Sequence, residues 1–347
     1  MRIEDVASRL GISKSTVSLA INNKPGISED TRKKVLETIE SLGYVPRKIV
    51  KADSKNDNTI KFLTCIDTES FIPSHYNISS SFFTELIHGI EKECDKNSYT
   101  LSFSTIPLNN FEEHLCKVKE SNSFNAAILL GTSLSAAQIK FVASQIPNLV
   151  VLDTLYDYLD VDFIVMNNSM GGYKACSYLI ELGHKNIGYA QSKTRIVNFD
   201  LRKRGFLNAL EENNIVLSNT NRFVVENETN TAKNMFKELI STRKDPLPTA
   251  IFCESDYIAI GIIKALDELG IGVPRDISII GFDDVPEGII ISPELSTIRV
   301  DRNKIGSLAV KRLISLIRKK KDAPSIKQVI DTFLVERRSC IRINGSF

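Results

Sequence analysis

The stretch VASRLGISKSTVSLAINN (residues 6–23) decides the fold of the amino-terminal part of the chain. Val6 and Leu10 lie four residues apart, and Val17 and Ile21 repeat that spacing, so each pair falls on one face of a helix. Gly11 lies between the two pairs, where glycine readily allows a tight turn. The stretch therefore predicts a helix-turn-helix, a motif whose second helix enters the major groove of DNA.

A third helix is predicted directly after this motif. Ser28 is followed by two acidic residues, and this is a typical helix start because a serine caps free N–H groups and acids favour the positive end of the helix. Val35 and Leu42 supply part of an apolar face. We therefore predict a small all-α helix-turn-helix head over residues 1–45, followed by a polar, charged hinge or linker over residues 46–58.

The basic charge of the protein is concentrated in this head. Residues 1–52 contain ten Lys or Arg and six Asp or Glu, whereas the remaining residues contain 34 basic and 36 acidic side chains, for a formal net charge of +2 overall. A basic head on a slightly acidic body indicates a polyanionic partner for the head alone.

After Thr59, short apolar runs alternate with helical stretches to the end of the chain. This alternation predicts α/β architecture, with doubly wound parallel sheets that have helices on both faces. About ten such strands exceed one hydrophobic core, so we predict two lobes. Ligands in these folds bind beyond the carboxyl ends of strands, where Asp153 and Asp283 lie. A carboxylate that only caps a neighbouring helix is the alternative for both residues.

Several classes of function lack a supporting pattern. The six cysteines occur singly, at positions 65, 94, 116, 176, 253 and 340, and no metal-ligand spacing, nucleotide-binding glycine loop or nucleophile motif occurs. From these missing motifs we expect no metal, no cofactor and no catalytic residues. Met1 is followed by charged residues and no long apolar run is present, so we also expect a cytoplasmic protein with no membrane partner.

The head sequence IEDVASRLGISKSTVSLAINNKPGISEDTRKKVLETIESLGYVP resembles the DNA-binding head of the lactose-repressor (LacI) family of bacterial transcription factors. The stretches SFFTELIHGIEKEC, ELGHKNIGY, RKRGFLNAL, PTAIFCESDYIAIGIIKALDELGIGVPRDISIIGFDD and PELSTIRVD resemble the periplasmic-binding-protein-like core of that family. The resemblance implies a core over residues 59–347. Its first lobe would comprise about 59–158 and 287–323, and its second lobe about 159–286 and 324–347.

The resemblance also implies roles for individual residues of the head. Lys14 and Ser15 match the positions that read bases. The positions that hold DNA phosphates match Thr16, Ser18, Asn22, Thr31 and Arg32, and Arg47 in the linker is a further candidate. Leu19 occupies a position where the family usually has arginine. Because leucine cannot donate a hydrogen bond, we expect it to contact a thymine methyl group in the major groove.

The resemblance implies a ligand site between the two lobes. Its polar positions match Asp153, Arg202, Ser255 and Asp283. Phe82 and Phe83 are candidates for an aromatic face, with ordinary packing in the core as the alternative for each. Carboxylates that accept hydrogen bonds from hydroxyls, together with a forked guanidinium, suit a small polyhydroxylated ligand.

We therefore predict a sequence-specific repressor that binds operator DNA as a homodimer and responds to a small effector of carbohydrate type. The absence of a leucine-heptad tail after FLVERRS favours a dimer over a tetramer. The alternative is a sugar-binding protein or a carbohydrate-active enzyme without a regulatory role, although that interpretation leaves the basic head unexplained.

Overall fold

The computed structural model describes residue 7 and residues 9–21, 26–41, 58–66, 81–121, 124–318 and 324–343. The chain divides into two units, Met1–Asn56 and Asp57–Phe347. The predicted linker over residues 46–58 lies outside the described residues except for its last position.

The first unit contains the predicted helix-turn-helix. Residues 7, 9 and 10 are helical, helix α1 spans Lys14–Ile21 and helix α2 spans Glu29–Ser41. Gly11 has a φ of +63° in the turn before α1. A small apolar core joins the three helical segments, and its buried members are Ala7, Val17, Ala20 and Val35.

The first lobe of the second unit is built on a six-stranded sheet in the order β11-β5-β4-β3-β1-β2, with every neighbouring pair parallel. Its strands are β1 (Thr59–Ile66), β2 (Thr100–Pro107), β3 (Ala126–Leu130), β4 (Asn148–Leu152), β5 (Asp162–Met166) and β11 (Lys327–Ile330). Helices α3 (Ser81–Lys96), α4 (Phe111–Ser121), α5 (Ala136–Gln145) and α11 (Arg302–Arg318) accompany them.

This sheet is buried on both faces. Phe62 and Ile128 belong to one apolar cluster, whereas their chain neighbours Leu63 and Leu129 belong to another. Because successive side chains of a strand point to opposite faces, helices must cover both sides of the sheet. The doubly wound architecture is therefore confirmed.

The second lobe has a parallel four-stranded sheet in the order β7-β6-β8-β9. Its strands are β6 (Ile187–Ser192), β7 (Arg222–Val225), β8 (Ala250–Cys253) and β9 (Ser278–Ile280), and its helices are α6 (Asn168–Glu181), α7 (Val197–Glu212), α8 (Thr229–Ser241), α9 (Asp256–Glu268) and α10 (Glu287–Ile290). An antiparallel pair of strands, β10 (Thr297–Arg299) and β12 (Phe333–Val335), adjoins β9 through an isolated bridge from Ile280 to Ser296.

The lobe boundaries differ from the sequence expectation. Strand β5 was expected in the second lobe, but it pairs with β4 of the first, and β11 pairs in turn with β5. Strand β10 was expected in the first lobe and adjoins the second. The chain therefore crosses between lobes after Met166, before Arg302 and near Asp331. An apolar run predicts a buried strand but carries no information on which sheet the strand joins.

Candidate functional site

The start of α1 presents the two residues that were predicted to read bases. Lys14 and Ser15 are exposed in its first turn. Ser13 fixes this end of the helix, because its hydroxyl oxygen accepts a hydrogen bond from the Thr16 backbone N–H at 3.1 Å. The Ser15 hydroxyl also lies within hydrogen-bond distance of the Ser13 hydroxyl, at 2.6 Å, so both exposed residues lie at a helix start that Ser13 fixes.

A second capped start lies at α2. The Ser28 hydroxyl accepts from the Thr31 N–H at 3.2 Å, and its carbonyl accepts from the Arg32 N–H at 3.0 Å. Thr31 and Arg32 are partly exposed, as is Thr16 of α1. Of the other predicted DNA contacts, Asn22, Arg47 and the side chain of Ser18 lie outside the described part of the structure.

Leu19 is partly exposed on α1 and lies beside the turn that leads into α2. A Cβ atom at Gly26 would lie 3.8 Å from the Leu19 Cδ1 atom, which is ordinary van der Waals contact. This position limits the movement of the leucine and leaves part of its side chain accessible. Its predicted contact with a thymine methyl group stays a prediction.

In the core, Asp153 joins the two lobes. It follows β4 with a φ of +62° and is 5% exposed. From the first lobe, the Thr132 hydroxyl donates to Oδ2. From the second lobe, the Asn198 side-chain amide donates to Oδ1 at 2.8 Å and to the Asp153 carbonyl at 3.0 Å. Burial raises the pKa of Asp153 to about 6, although these donors and Arg202 oppose the shift.

Arg202 on α7 is 3% exposed and has polar partners along its whole guanidinium. Nε donates to Asn168 Oδ1 at 2.9 Å, Nη1 to the Glu254 carbonyl at 2.5 Å, and Nη2 to Asp283 Oδ1 at 3.0 Å. The guanidinium also lies 3.7 Å from the centre of the Phe282 ring, a cation–π arrangement.

Close packing of two helices fixes the backbone of Arg202. A Cβ atom at Gly172 of α6 would lie 2.1 Å from the Arg202 carbonyl oxygen, and one at Gly205 would lie 1.8 Å from the Ser169 carbonyl oxygen. Only glycine permits this approach of α6 to α7. The glycine of the RKRGF stretch therefore sets the depth at which Arg202 enters the cleft.

Asp283 lies in the turn after β9, with a φ of +114°. Burial raises the pKa of its carboxyl group, and the charges of Arg202 and Arg302 offset part of that rise. A small cavity lies nearby, with Asp153 and Arg302 among its lining residues. Its volume of about 10 Å³ accommodates about one water molecule. A ligand that binds the Asp153 carboxylate competes with the hydrogen bonds that Thr132 and Asn198 donate to it.

The remaining predicted residues have other contacts. Ser255 begins α9, where its oxygen accepts from the Ile258 N–H at 3.3 Å and its hydroxyl donates to Asn227 Oδ1 at 2.5 Å. Phe83 is 1% exposed and packs in the main apolar cluster of the core. The side chain of Phe82 lies outside the described part. Contacts of these three residues with an effector stay predictions.

Sequence reasoning missed several members of the network that surrounds Asp153 and Arg202. Thr132 could have been found, because it follows β3 at the same sheet edge as Asp153. Asn198 and Arg302 carry no such signal, since their contacts depend on where helices of different lobes meet. Asn168, the first residue of α6, is a further member, and its side-chain amide donates to Asn198 Oδ1 at 2.9 Å.

Two other kinds of site receive no support in the part of the chain that the structure describes. It contains no group of three or more His, Cys, Asp or Glu side chains placed to hold a metal ion. Among these same residues, no helix combines the length and apolar character needed to cross a membrane.

A helix-turn-helix unit followed by two parallel-sheet lobes that meet at a polar cleft defines the class of ligand-responsive DNA-binding proteins. Residues 2–47 match the model of "Bacterial regulatory proteins, lacI family", and residues 176–340 match a "Periplasmic binding protein-like domain". The chain therefore belongs to the lacI family of bacterial regulatory proteins, as its relatives confirm, and it is a DNA-binding transcriptional regulator.

Two relatives match over nearly the whole chain. The ribose operon repressor of Haemophilus influenzae is 30% identical over 319 residues, which cover 91% of this chain and 92% of that protein. The HTH-type transcriptional repressor PurR of Yersinia enterocolitica is 33% identical over 354 residues, with coverage of 97% and 96%. Among solved structures, the lac repressor dimer bound to operator and an anti-inducer matches with a TM-score of 0.73 and 21% identity, over 98% of this chain and 99% of that one.

Proposed function

We propose that this protein is a cytoplasmic repressor that binds operator DNA as a homodimer and changes its DNA affinity when a carbohydrate-like ligand binds between the core lobes. The observation that carries the proposal is the Asp153 carboxylate, which accepts hydrogen bonds from Thr132 of one lobe and Asn198 of the other. A ligand hydroxyl that competes for this carboxylate changes the contacts between the lobes.

The DNA-binding part of the proposal rests on the head. Lys14 and Ser15 are exposed at the start of α1, and the basic excess lies within residues 1–52. Two heads related by a two-fold axis would place their α1 helices in successive major grooves of a near-palindromic site. Thr16, Thr31 and Arg32 are partly exposed and would contact phosphates.

The ligand class follows from the chemistry of the cleft. Asp153 and Asp283 offer carboxylate oxygens to hydroxyl groups, and Arg202 offers a planar guanidinium. Ser255 and Phe82 or Phe83 would contribute to the same site. The relative named a ribose operon repressor supports a carbohydrate effector, and the family membership supports a regulator over a carbohydrate-active enzyme.

Binding controls DNA affinity only if the ligand prefers one arrangement of the lobes. The shift in the equilibrium is limited to the difference in its affinity for the two arrangements. In a dimer, a change in lobe contacts would alter the spacing of the two heads and hence their fit to successive major grooves.

A thermal-shift screen tests the ligand class. D-ribose, cellobiose and their phosphate esters are added to the full-length protein, and a bound compound raises the melting temperature because it binds the folded state. The Asp153→Asn variant should lose the response, whereas Asp276→Asn, at an exposed ion pair, should keep it. If every compound that stabilises the wild type stabilises Asp153→Asn equally, the proposed site is wrong.

Selection from a pool of random DNA tests the regulatory part. The recovered sites should contain two half-sites in inverted repeat, and Lys14→Ala should lose affinity for them. Recovery of sites without symmetry would contradict the dimer, and the absence of enrichment would contradict operator binding.

A further inference from the structure

Arg302, the first residue of α11, contacts both lobes with one side chain. Its Nη1 atom donates to the Asp283 carbonyl at 2.5 Å and its Nη2 atom to the Asp284 carbonyl at 3.1 Å. Its Nε atom donates to Glu85 Oε2 at 2.8 Å. The Arg302 side chain is 3% exposed, whereas that of its partner Glu85 is 43% exposed.

The base of this side chain is fixed in the first lobe. A Cβ atom at Gly306 of α11 would lie 2.5 Å from the Leu86 carbonyl oxygen of α3, so the two helix backbones lie in close contact. Glu85 precedes Leu86 on α3 and holds Nε from the same side. Arg302 therefore moves with the first lobe.

The carbonyls that Arg302 binds belong to a turn of the second lobe. Asp284 has a φ of 57°, in the left-handed region that aspartate readily adopts, whereas the φ of 114° at Asp283 lies outside it and has to be held by the surroundings. The Asp283 carboxylate in this turn is the ion-pair partner of Arg202. The position of this turn therefore sets the position of the Asp283 carboxylate, which orients Arg202.

Other arginines hold the same turn from within the second lobe. Arg299 on β10 and Arg337 after β12 each donate to the Asp284 carboxylate at 2.5 Å. Because β10 and β12 adjoin the sheet of that lobe, these contacts move with the turn. Arg302 differs from them in that it reaches the turn from the other lobe.

We propose that Arg302 is a positioning residue of the cleft, which holds the 283–284 turn from the first lobe and thereby sets the Asp283 carboxylate against Arg202. Its role in ligand response rests on the proposed function. A change in the separation of the lobes pulls on the turn through Arg302 and so reorients Arg202.

Hydrogen–deuterium exchange measured by mass spectrometry on the full-length protein tests this role. Arg302→Met should speed exchange about tenfold in peptides that cover residues 281–286 and, through Asp283, in those that cover 200–206. Exchange in α8, over residues 230–240, should stay at the wild-type rate. Arg302→Lys, which keeps the charge and one donor group, should restore part of the protection in both regions.

Arg299→Met is the matched control, because it removes an arginine that holds the same turn from β10, within the second lobe. It should affect residues 281–286 at most. The inference is overturned if exchange over 200–206 is unchanged in Arg302→Met, if it rises equally in Arg299→Met, or if it rises together with α8, which would indicate general destabilisation.

This experiment separates the inference from the proposed function. Exchange rates report on the turn without any ligand, whereas the thermal-shift screen reports on ligand binding. A screen in which no compound binds contradicts the proposed ligand class and leaves the positioning role intact. Normal exchange in Arg302→Met, combined with a clear response to D-ribose or cellobiose, contradicts only the positioning role.

Discussion

In the head, Lys14 and Ser15 are exposed at the start of α1, whereas in the core Asp153, Arg202 and Asp283 are only 5%, 3% and 8% exposed. The head presents these exposed side chains to a polyanion, so we expect its binding to depend on charge and salt. In the cleft, a ligand that binds Asp153 or Asp283 competes with the internal hydrogen bonds of these carboxylates. Stability and recognition are therefore nearly separate in the head and coupled in the cleft.

Arg202→Ala should have the largest effect, a loss of stability in the core. The variant leaves the Asp283 carboxylate buried without its ion-pair partner, which we expect to lower the free energy of unfolding by about 3–5 kcal/mol. Urea denaturation measures the loss. The control is Arg275→Ala, which removes an exposed ion pair with Asp276 and should leave the unfolding midpoint unchanged. Equal midpoints for the two variants would contradict the coupling of stability and recognition.

Asp153→Asn should instead stabilise the protein near neutral pH. Because burial raises the pKa of Asp153 from 3.8 to about 6, its ionised form is penalised in the folded state, and stability falls as pH rises through this window. Asparagine removes the penalty, accepts the same left-handed backbone and should gain up to about 3 kcal/mol at pH 7.

The gain should shrink as the pH falls from 6 towards 4, and melting curves of both proteins across that range measure it. Asp276 provides a control in which the pKa shift has the opposite direction, because a hydrogen bond from Arg275 lowers the pKa of its carboxyl group to about 2. Asp276→Asn should show no stabilisation at pH 7. A gain in Asp153→Asn that does not change with pH would show that the carboxylate is not the cause.

Lys14→Ala tests whether stability and DNA recognition are separate in the head. It should weaken operator binding by about 1–3 kcal/mol and leave the melting temperature unchanged, because the residue is exposed. Titrations at several salt concentrations measure both the affinity and its salt dependence. Lys117→Ala, at an exposed ion pair in the core, should bind the operator like the wild type. A large drop in melting temperature for Lys14→Ala would contradict the separation of stability and recognition.

The smallest expected effect concerns Leu19. If its side chain contacts a thymine methyl group, uracil at that position of each half-site should weaken binding by about 1 kcal/mol, the contribution of roughly one buried methyl group. Single thymine-to-uracil changes across the operator locate the contact by affinity measurements. Full tolerance of uracil at every position would remove this role and leave Leu19 as a packing residue beside Gly26.

The sequence predicted those parts of the molecule that depend on local patterns. The turn at Gly11 and the cap at Ser28 are short-range features, and both occur as expected. Asp153 and Asp283 were found because residues that follow parallel strands gather at one edge of a sheet. Each inference needed only the order of residues and one general rule.

Long-range features were not predictable in this way. The apolar run of β5 looks the same whichever sheet it joins, so its lobe was assigned wrongly. Arg302 contacts Glu85 at a separation of 217 residues, and no periodicity connects positions so far apart. Asn198 begins a helix in one lobe and bonds to Asp153 of the other. Such contacts depend on the packing of whole lobes.

The position of β11 also bears on how the chain folds during its synthesis. This strand pairs with β5 across more than 160 residues, so the sheet of the first lobe lacks its edge strand until the ribosome has translated residues 327–330. Contacts between such distant segments slow folding. A nascent chain that ends before Lys327 lacks part of both lobes, since β12 follows β11 and belongs beside the second. Stop codons before Lys327 should therefore yield products without a complete cleft, whereas the head, a separate unit over Met1–Asn56, can fold before the core is translated.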